Sequence, residues 1–257
     1  MPQSPAPFVW YELMTSDAAA AEKFYKTVVG WKTQDMSQGD MKYTGLLAGD
    51  APVAGLMTLP KEACAAGAKP GWIGYIGVDD VDATAGRVTK AGGRIHVPPT
   101  DIPNVGRFAT AADPQGTAFC LFKPSTAMTR PAADPAKPGI VGWHELYAID
   151  GKTAFDFYAE LFGWTKAEAM DMGAMGVYQI FAAGGAPIGG MMTKPPGVPV
   201  SFWNYYFQVD GIGAAMERLK AAGGTVINGP MEVPGGSWIV QGLDPQGAMF
   251  SLVSPQA

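Results

Sequence analysis

An α+β fold built from four βαβββ modules in two domains is predicted by three observations on this sequence. The chain repeats itself, each half alternates helical stripes with short strand-like runs, and turn residues punctuate those runs at matching places. WYELMTSDAAAAEKFYKTVVGW, from Trp10, matches WHELYAIDGKTAFDFYAELFGW, from Trp143, and WIGYIGVD (Trp72–Asp79) matches WNYYFQVD (Trp203–Asp210). AGGRI matches AGGTV, and DPQG occurs at Asp113–Gly116 and again at Asp244–Gly247. The offset is 133 residues between Trp10 and Trp143 and 131 between Asp113 and Asp244, so the register holds and the chain is a duplication.

Each half is itself a weaker repeat of strand, helix and three strands. Phe8–Thr15 reads as a strand, and Asp17 is placed to cap the helix that follows. Ala21, Phe24, Tyr25 and Val28 fall at i, i+3, i+4 and i+7, the spacing of one helical face, and Gly30 ends it. The second half repeats that stripe with Ala154, Phe157, Tyr158 and Leu161, closed by Gly163. LLAGDAPVAGLM and IFAAGGAPIGGMM then read as hairpins. The next module opens with Trp72–Val78, carries a helix on Val81, Ala85 and Val88, and stops at Gly92–Gly93. Its twin uses Ile212, Ala215, Met216 and Leu219 and stops at Gly223–Gly224. DPQG places Asp first, Pro second and Gly fourth, as a type I turn prefers, ahead of the last strand. One module is too small to bury its own sheet, so pairing is expected.

With 257 residues and 47% hydrophobic composition the chain can fill two cores. A net charge of −5 argues against a phosphate-backbone partner, and no apolar run reaches bilayer length. The opening residues lack a basic segment followed by an apolar one, and the two cysteines, Cys64 and Cys120, form no disulfide framework; a reduced, cytoplasmic protein is expected. Between the halves, Pro124–Gly139 is rich in proline and alanine, which predicts an extended linker. The first domain is placed at 1–125, the linker at 126–138 and the second domain at 139–257.

A strand followed by D-x(6)-FY-x(4)-GW, then AGG, then DPxG before a final strand, resembles the vicinal oxygen chelate superfamily. That group includes glyoxalase I, bleomycin-resistance proteins, extradiol dioxygenases and methylmalonyl-CoA epimerase. The likeness covers nearly the whole chain outside the linker and termini. It implies two glyoxalase-like domains, each a curved mixed sheet forming a cup around a small ligand, with helices on the outer face. In metal-dependent members it also implies ligands on the first and last strands of each module. Those positions fall here on Trp10, Ile73 and Cys120 in the first half and on Trp143, Asn204 and Ser251 in the second. The last strands of the first modules, VAGLM and IGGMM, hold no acid or imidazole. Indole and aliphatic side chains cannot donate to a divalent ion, and the two histidines, His96 and His144, lie in different halves. No metal ligands and no cofactor are therefore expected.

Alternation along the first strands puts Glu12 beside Trp10 and Glu145 beside Trp143 on one face. If that face lines the cup, each glutamate is either a general acid or base with a raised pKa or a structural carboxylate. These two are the catalytic candidates. Ligand contacts are expected from Trp10, Tyr75, Arg107 and Cys120 in the first half, and from Trp143, Asn204, Tyr206, Gln208, Trp238 and Ser251 in the second. His144, between Trp143 and Glu145, falls on the opposite, helix-facing side as a structural histidine, and Tyr11 is its counterpart. No phosphate-binding glycine loop or nucleophile elbow is present. The leading expectation is a metal-free binder of a small organic molecule, monomeric or homodimeric, with no nucleic-acid or membrane partner. A lyase, isomerase or hydroxylase-like enzyme acting through a cup glutamate, or a metal-dependent glyoxalase or dioxygenase, is the alternative. An interaction protein with vestigial cups is a third reading.

Overall fold

The computed structural model describes residues 5–125 and 136–257, so the predicted linker lies almost entirely outside the described residues. The first half runs β1 (Phe8–Thr15), α1 (Ala18–Val28), β2 (Lys32–Asp35), β3 (Thr44–Ala48), β4 (Ala51–Thr58), α2 (Lys61–Ala65), β5 (Gly71–Gly77), α3 (Val81–Lys90), β6 (Arg94–Ile102), β7 (Gly106–Ala112) and β8 (Ala118–Pro124). The second half runs β9 (Val141–Ala148), α4 (Gly151–Phe162), β10 (Thr165–Asp171), β11 (Val177–Ala182), β12 (Pro187–Thr193), β13 (Phe202–Gln208), α5 (Ile212–Ala221), β14 (Thr225–Glu232), β15 (Trp238–Leu243) and β16 (Met249–Ser254). Four βαβββ modules result, with the short α2 joining the first two.

Local chemistry explains the helix ends. Asp17, Asp80 and Asp150 each accept a hydrogen bond from an amide three residues on, at 3.0, 2.9 and 2.8 Å. Gly163, at φ 68°, closes α4 in a backbone conformation that side chains disfavour. The buried positions of α1 are the predicted ones, Ala21, Phe24, Tyr25 and Val28, and each large apolar one contributes about 1.5–3 kcal/mol of burial.

The strands make two eight-stranded mixed sheets, one per half. Their modules contribute the orders β2-β3-β4-β1 and β5-β8-β7-β6, then β10-β11-β12-β9 and β13-β16-β15-β14. Within each module the first strand lies parallel to the last, as in Glu12 opposite Gly55, Tyr75 opposite Cys120, Glu145 opposite Gly190 and Tyr206 opposite Ser251.

Compactness follows a different division from the sheets. One compact unit joins residues 10–72, 136–142 and 204–257, which pairs the first module with the fourth; the other joins 5–9, 73–125 and 143–203, which pairs the second with the third. In the first unit Trp72 Nε1 donates to Tyr25 Oη at 2.9 Å, and that hydroxyl donates to Asp244 Oδ2 at 3.1 Å. Asp244 Oδ1 also accepts from the amides of Gln246 and Ala248, at 2.9 and 2.8 Å. Arg218 reaches Val28 O at 3.1 Å, Trp31 reaches Gly139 O at 2.8 Å, and Phe24 meets Phe250 edge-on.

The second unit repeats this set with the halves exchanged. Trp203 donates to Tyr158 at 3.0 Å, Tyr158 to Asp113 at 3.2 Å, Arg87 to Leu161 O at 3.0 Å and Trp164 to Ala6 O at 2.7 Å. Burial pushes the carboxyl groups of both Asp113 and Asp244 above the usual range, opposed by the amides and phenol that hydrogen-bond to them.

Candidate functional site

Alternation on β1 and β9 sends Tyr11 and His144 into the helix-side packing, where Tyr11 meets Tyr205 edge-on and His144 stacks on Phe8 with ring centres 4.4 Å apart. His144 Nδ1 lies 2.6 Å from Ile188 O, and burial lowers its pKa to about 4, which fits a neutral structural imidazole. The other face of the same strands carries Trp10 with Glu12 and Trp143 with Glu145.

On that face each half assembles a trio. Trp10 Nε1 donates to Tyr43 Oη at 3.0 Å, and Tyr43 Oη donates to Glu12 Oε2 at 2.9 Å. In the second half Trp143 Nε1 donates to Tyr178 Oη at 2.7 Å, and Tyr178 hydrogen-bonds Glu145. Both glutamates are 7% exposed, while the indoles and phenols around them are half-buried. Burial first, and then the Glu145 charge, hold the Tyr178 hydroxyl well above its ordinary pKa. The phenol therefore stays a proton donor toward the carboxylate.

Glycines make the trio possible. Gly55 sits opposite Glu12 and Gly190 opposite Glu145. A Cβ on Gly55 would lie 1.8 Å from Tyr43 Oη, and one on Gly190 would lie 2.1 Å from the Tyr178 ring. The space above each glycine is thus filled by a phenol, Tyr43 from the residue just before β3 and Tyr178 from β11. Sequence reasoning missed Tyr43 and Tyr178; the available signal was the glycine embedded in each apolar run, VAGLM and IGGMM.

The remaining candidates divide by face. Tyr75 and Cys120 are register partners; Cys120 Sγ lies 3.5 Å from Thr110 Oγ1, and Tyr75 meets Phe122 edge-on. In the fourth module Asn204 Nδ2 donates to Ser251 Oγ at 2.8 Å, and Gln241 Nε2 donates to Tyr206 Oη at 2.7 Å. Tyr206, Ser251 and Gln241 sit side by side by register, on the face turned away from α5. Gln208 instead lies over Gly142, and its backbone pairs with Gly139 and Ile140.

Arg107 and Trp238 are on the opposite face from this set. Arg107 pairs with Lys123, three residues beyond Cys120, and its guanidinium binds Asp82 at 2.7 Å and Asp101 at 2.9 Å. Trp238 pairs with Ser254, three residues beyond Ser251. An odd shift along a strand turns a side chain to the other face.

The donor chemistry does not fit a divalent metal. Indole, aliphatic, amide and hydroxyl groups and the single thiol of Cys120 occupy the positions that the resemblance assigns to metal ligands. No group of three or more His, Cys, Asp or Glu comes together among the described residues. Nor, among those residues, is any helix long and apolar enough to cross a membrane.

With this fold and these faces in view, the class is established by comparison. The glyoxalase/bleomycin resistance protein/dioxygenase superfamily matches twice, at residues 8–121 and 140–252, and the chain belongs to that family. CFP32 of Mycobacterium bovis, whose name proposes it as a glyoxylase, is 36% identical over 250 residues, covering 96% of this chain and 94% of that protein. The anthracycline biosynthesis protein DnrV of Streptomyces peucetius is 32% identical over 267 residues, with 98% and 93% covered. Among solved structures, the Mn(II)-bound glyoxalase of Novosphingobium aromaticivorans matches with a TM-score of 0.67 at 16% identity, over 100% of this chain and 83% of that one. Homoprotocatechuate 2,3-dioxygenase of Brevibacterium fuscum matches with a TM-score of 0.69 at 14% identity, over 98% and 81%. These structural likenesses speak for the fold.

Proposed function

We propose that this chain binds a small organic molecule, without a resident metal, against the faces of β1 and β9 that carry the two trios. The observation that carries this reading is that an indole, a phenol and a buried carboxylate are hydrogen-bonded in the same order in both halves. Each trio joins aromatic surface, on which a planar molecule can stack, to a fixed polar group that can orient it. The relatives' names, a glyoxylase and an anthracycline biosynthesis protein, support small-molecule chemistry. On this reading the protein works in the cytoplasm as a monomer or homodimer and engages no nucleic acid or membrane.

Two measurements test it. Purified, untagged protein is reconstituted anaerobically with iron, zinc, nickel and manganese, dialysed, and analysed for metal. Sub-stoichiometric metal under every condition is expected, and one equivalent resisting dialysis would overturn the metal-free reading. Small molecules released on denaturation are then identified by mass spectrometry. They should be lost or depleted in Glu12→Gln/Glu145→Gln, and equal recovery from that variant would remove the trios from binding.

The hydrogen bond from Tyr43 to Glu12 favours an enzymatic version of the same reading. A carboxylate whose proton traffic can pass through a phenol is equipped to act as a general acid or base in a lyase, isomerase or hydroxylase-like reaction.

A further inference from the structure

The fourth module holds a polar pair that its twin shows the fold does not need. Asn204 and Ser251 are 1% and 0% exposed, hydrogen-bonded to each other at 2.8 Å on adjoining strands. Asn204 Oδ1 is buried with no hydrogen-bond partner among the described residues. A buried carbonyl left in that state is costly, because it has lost water and gained nothing. In the second module the equivalent positions are Ile73 and Cys120, buried to 5% and 1%, and that module builds the same strands with no such burden. Packing therefore does not require the amide and hydroxyl, since apolar side chains serve in the same architecture.

Beside the pair, on the same face, stand Tyr206 and Gln241, linked at 2.7 Å, with Asn228 donating to Gln241 at 3.3 Å. Asn204, Ser251, Tyr206 and Gln241 are uncharged. Asn204 and Ser251, at positions the resemblance assigns to metal ligands, thus belong to a neutral hydrogen-bonding set whose orphaned acceptor awaits a donor.

We infer that the fourth module contains a subsite for an uncharged, hydroxyl-bearing aromatic ligand, whose O–H is received by Asn204 Oδ1 and whose oxygen lies against the Ser251 hydroxyl. The inference rests on the proposed small-molecule reading and narrows it to the compact unit that pairs the first module with the fourth. A charged head group is disfavoured, because no ionised side chain of the set would offset its loss of water. The second module, with Ile73 and Cys120 in these places, offers no matching acceptor.

The test uses the full chain and two fluorescent probes of nearly equal shape, 2-naphthol and its O-methyl ether. Binding is read by fluorescence anisotropy for wild type and for Asn204→Ile/Ser251→Cys, which copies the twin module. Wild type is expected to prefer the naphthol by about tenfold, the worth of one well-placed hydrogen bond. The variant should lose that preference, so that its two affinities become equal. Its thermal midpoint should equal or exceed that of wild type, because an orphaned polar atom has been removed. Equal affinity of wild type for both probes, or a preference that survives in the variant, overturns the subsite while leaving the broader binding reading intact. Binding of neither probe overturns the subsite and also removes aromatic ligands from the broader reading. A variant that melts well below wild type would show that the pair is required for packing, and would likewise overturn the proposal.

Discussion

The molecule uses one hydrogen-bonded sequence, indole to phenol to carboxylate, in two regions with opposite consequences. On the helix side, Trp72–Tyr25–Asp244 and Trp203–Tyr158–Asp113 tie one half to the other, and each aspartate is also gripped by two backbone amides of its own turn. On the strand face, Trp10–Tyr43–Glu12 and Trp143–Tyr178–Glu145 stay within a single module. Their carboxylates stand on longer side chains rather than in a turn. The lesson is that residue chemistry alone does not separate a structural tie from a candidate site. What separates them is what else holds the carboxylate and which elements it joins.

The largest expected break is on the helix side. Asp244→Ala leaves the Tyr25 hydroxyl and the amides of Gln246 and Ala248 without their acceptor, and should cost about 4 kcal/mol of stability in urea unfolding. A loss below about 1 kcal/mol would mean that the tie is not structural.

Next is His144, which shares β9 with Glu145 but faces the other way. Its folded pKa of about 4 lies below the unfolded value near 6.5, so the unfolded chain binds more protons between those values. Its contribution is complete above pH 6.5 and falls by about 3 kcal/mol as pH drops through 4. The difference in unfolding free energy between wild type and His144→Phe should therefore depend on pH in that window and be flat above it. A difference constant from pH 4 to 7 would refute the assignment.

On the strand face, Gly55→Ala should expel the Tyr43 ring and cost about 2 kcal/mol, with a shift in tryptophan emission as Trp10 loses its acceptor. Unchanged emission would show that the ring is not held there. Glu12→Gln should have the smallest effect, under about 1 kcal/mol, because an amide oxygen can still accept from Tyr43. A loss as large as that of Asp244→Ala would collapse the distinction between the two regions.

Much of the structural region was legible in the sequence. The FY pair in the first helix of each half, the DPQG turns and the tryptophans near the start of β5 and β13 recur at fixed offsets, and the helical stripe already placed Tyr25 and Tyr158 on a buried face. What they touch was not legible, because a repeat reveals which segments are alike and is silent on which are in contact. Tyr25 reaches Asp244 in the other half. The candidate site was half legible. Alternation along β1 and β9 places Glu12 and Glu145 beside their tryptophans, but the phenols come from a hairpin whose length and twist no short-range pattern fixes. Arg107 and Trp238 illustrate the same difficulty from the other side. Their faces depend on the register of β7 on β8 and of β15 on β16, which the DPQG turns set, and an odd shift reverses the outcome.

The reciprocal ties between halves bear on how the two faces came to differ. A set of contacts that reads the same after the halves are exchanged could be satisfied by two identical chains, as in a two-fold dimer. Identical chains must carry identical pockets, so a residue gained in one is gained in both. Joining the halves on one polypeptide keeps each at high effective concentration for the other and lifts that constraint. Asn204 and Ser251 can then be polar while Ile73 and Cys120 occupy the same places in the other half, so two copies within one gene are free to diverge.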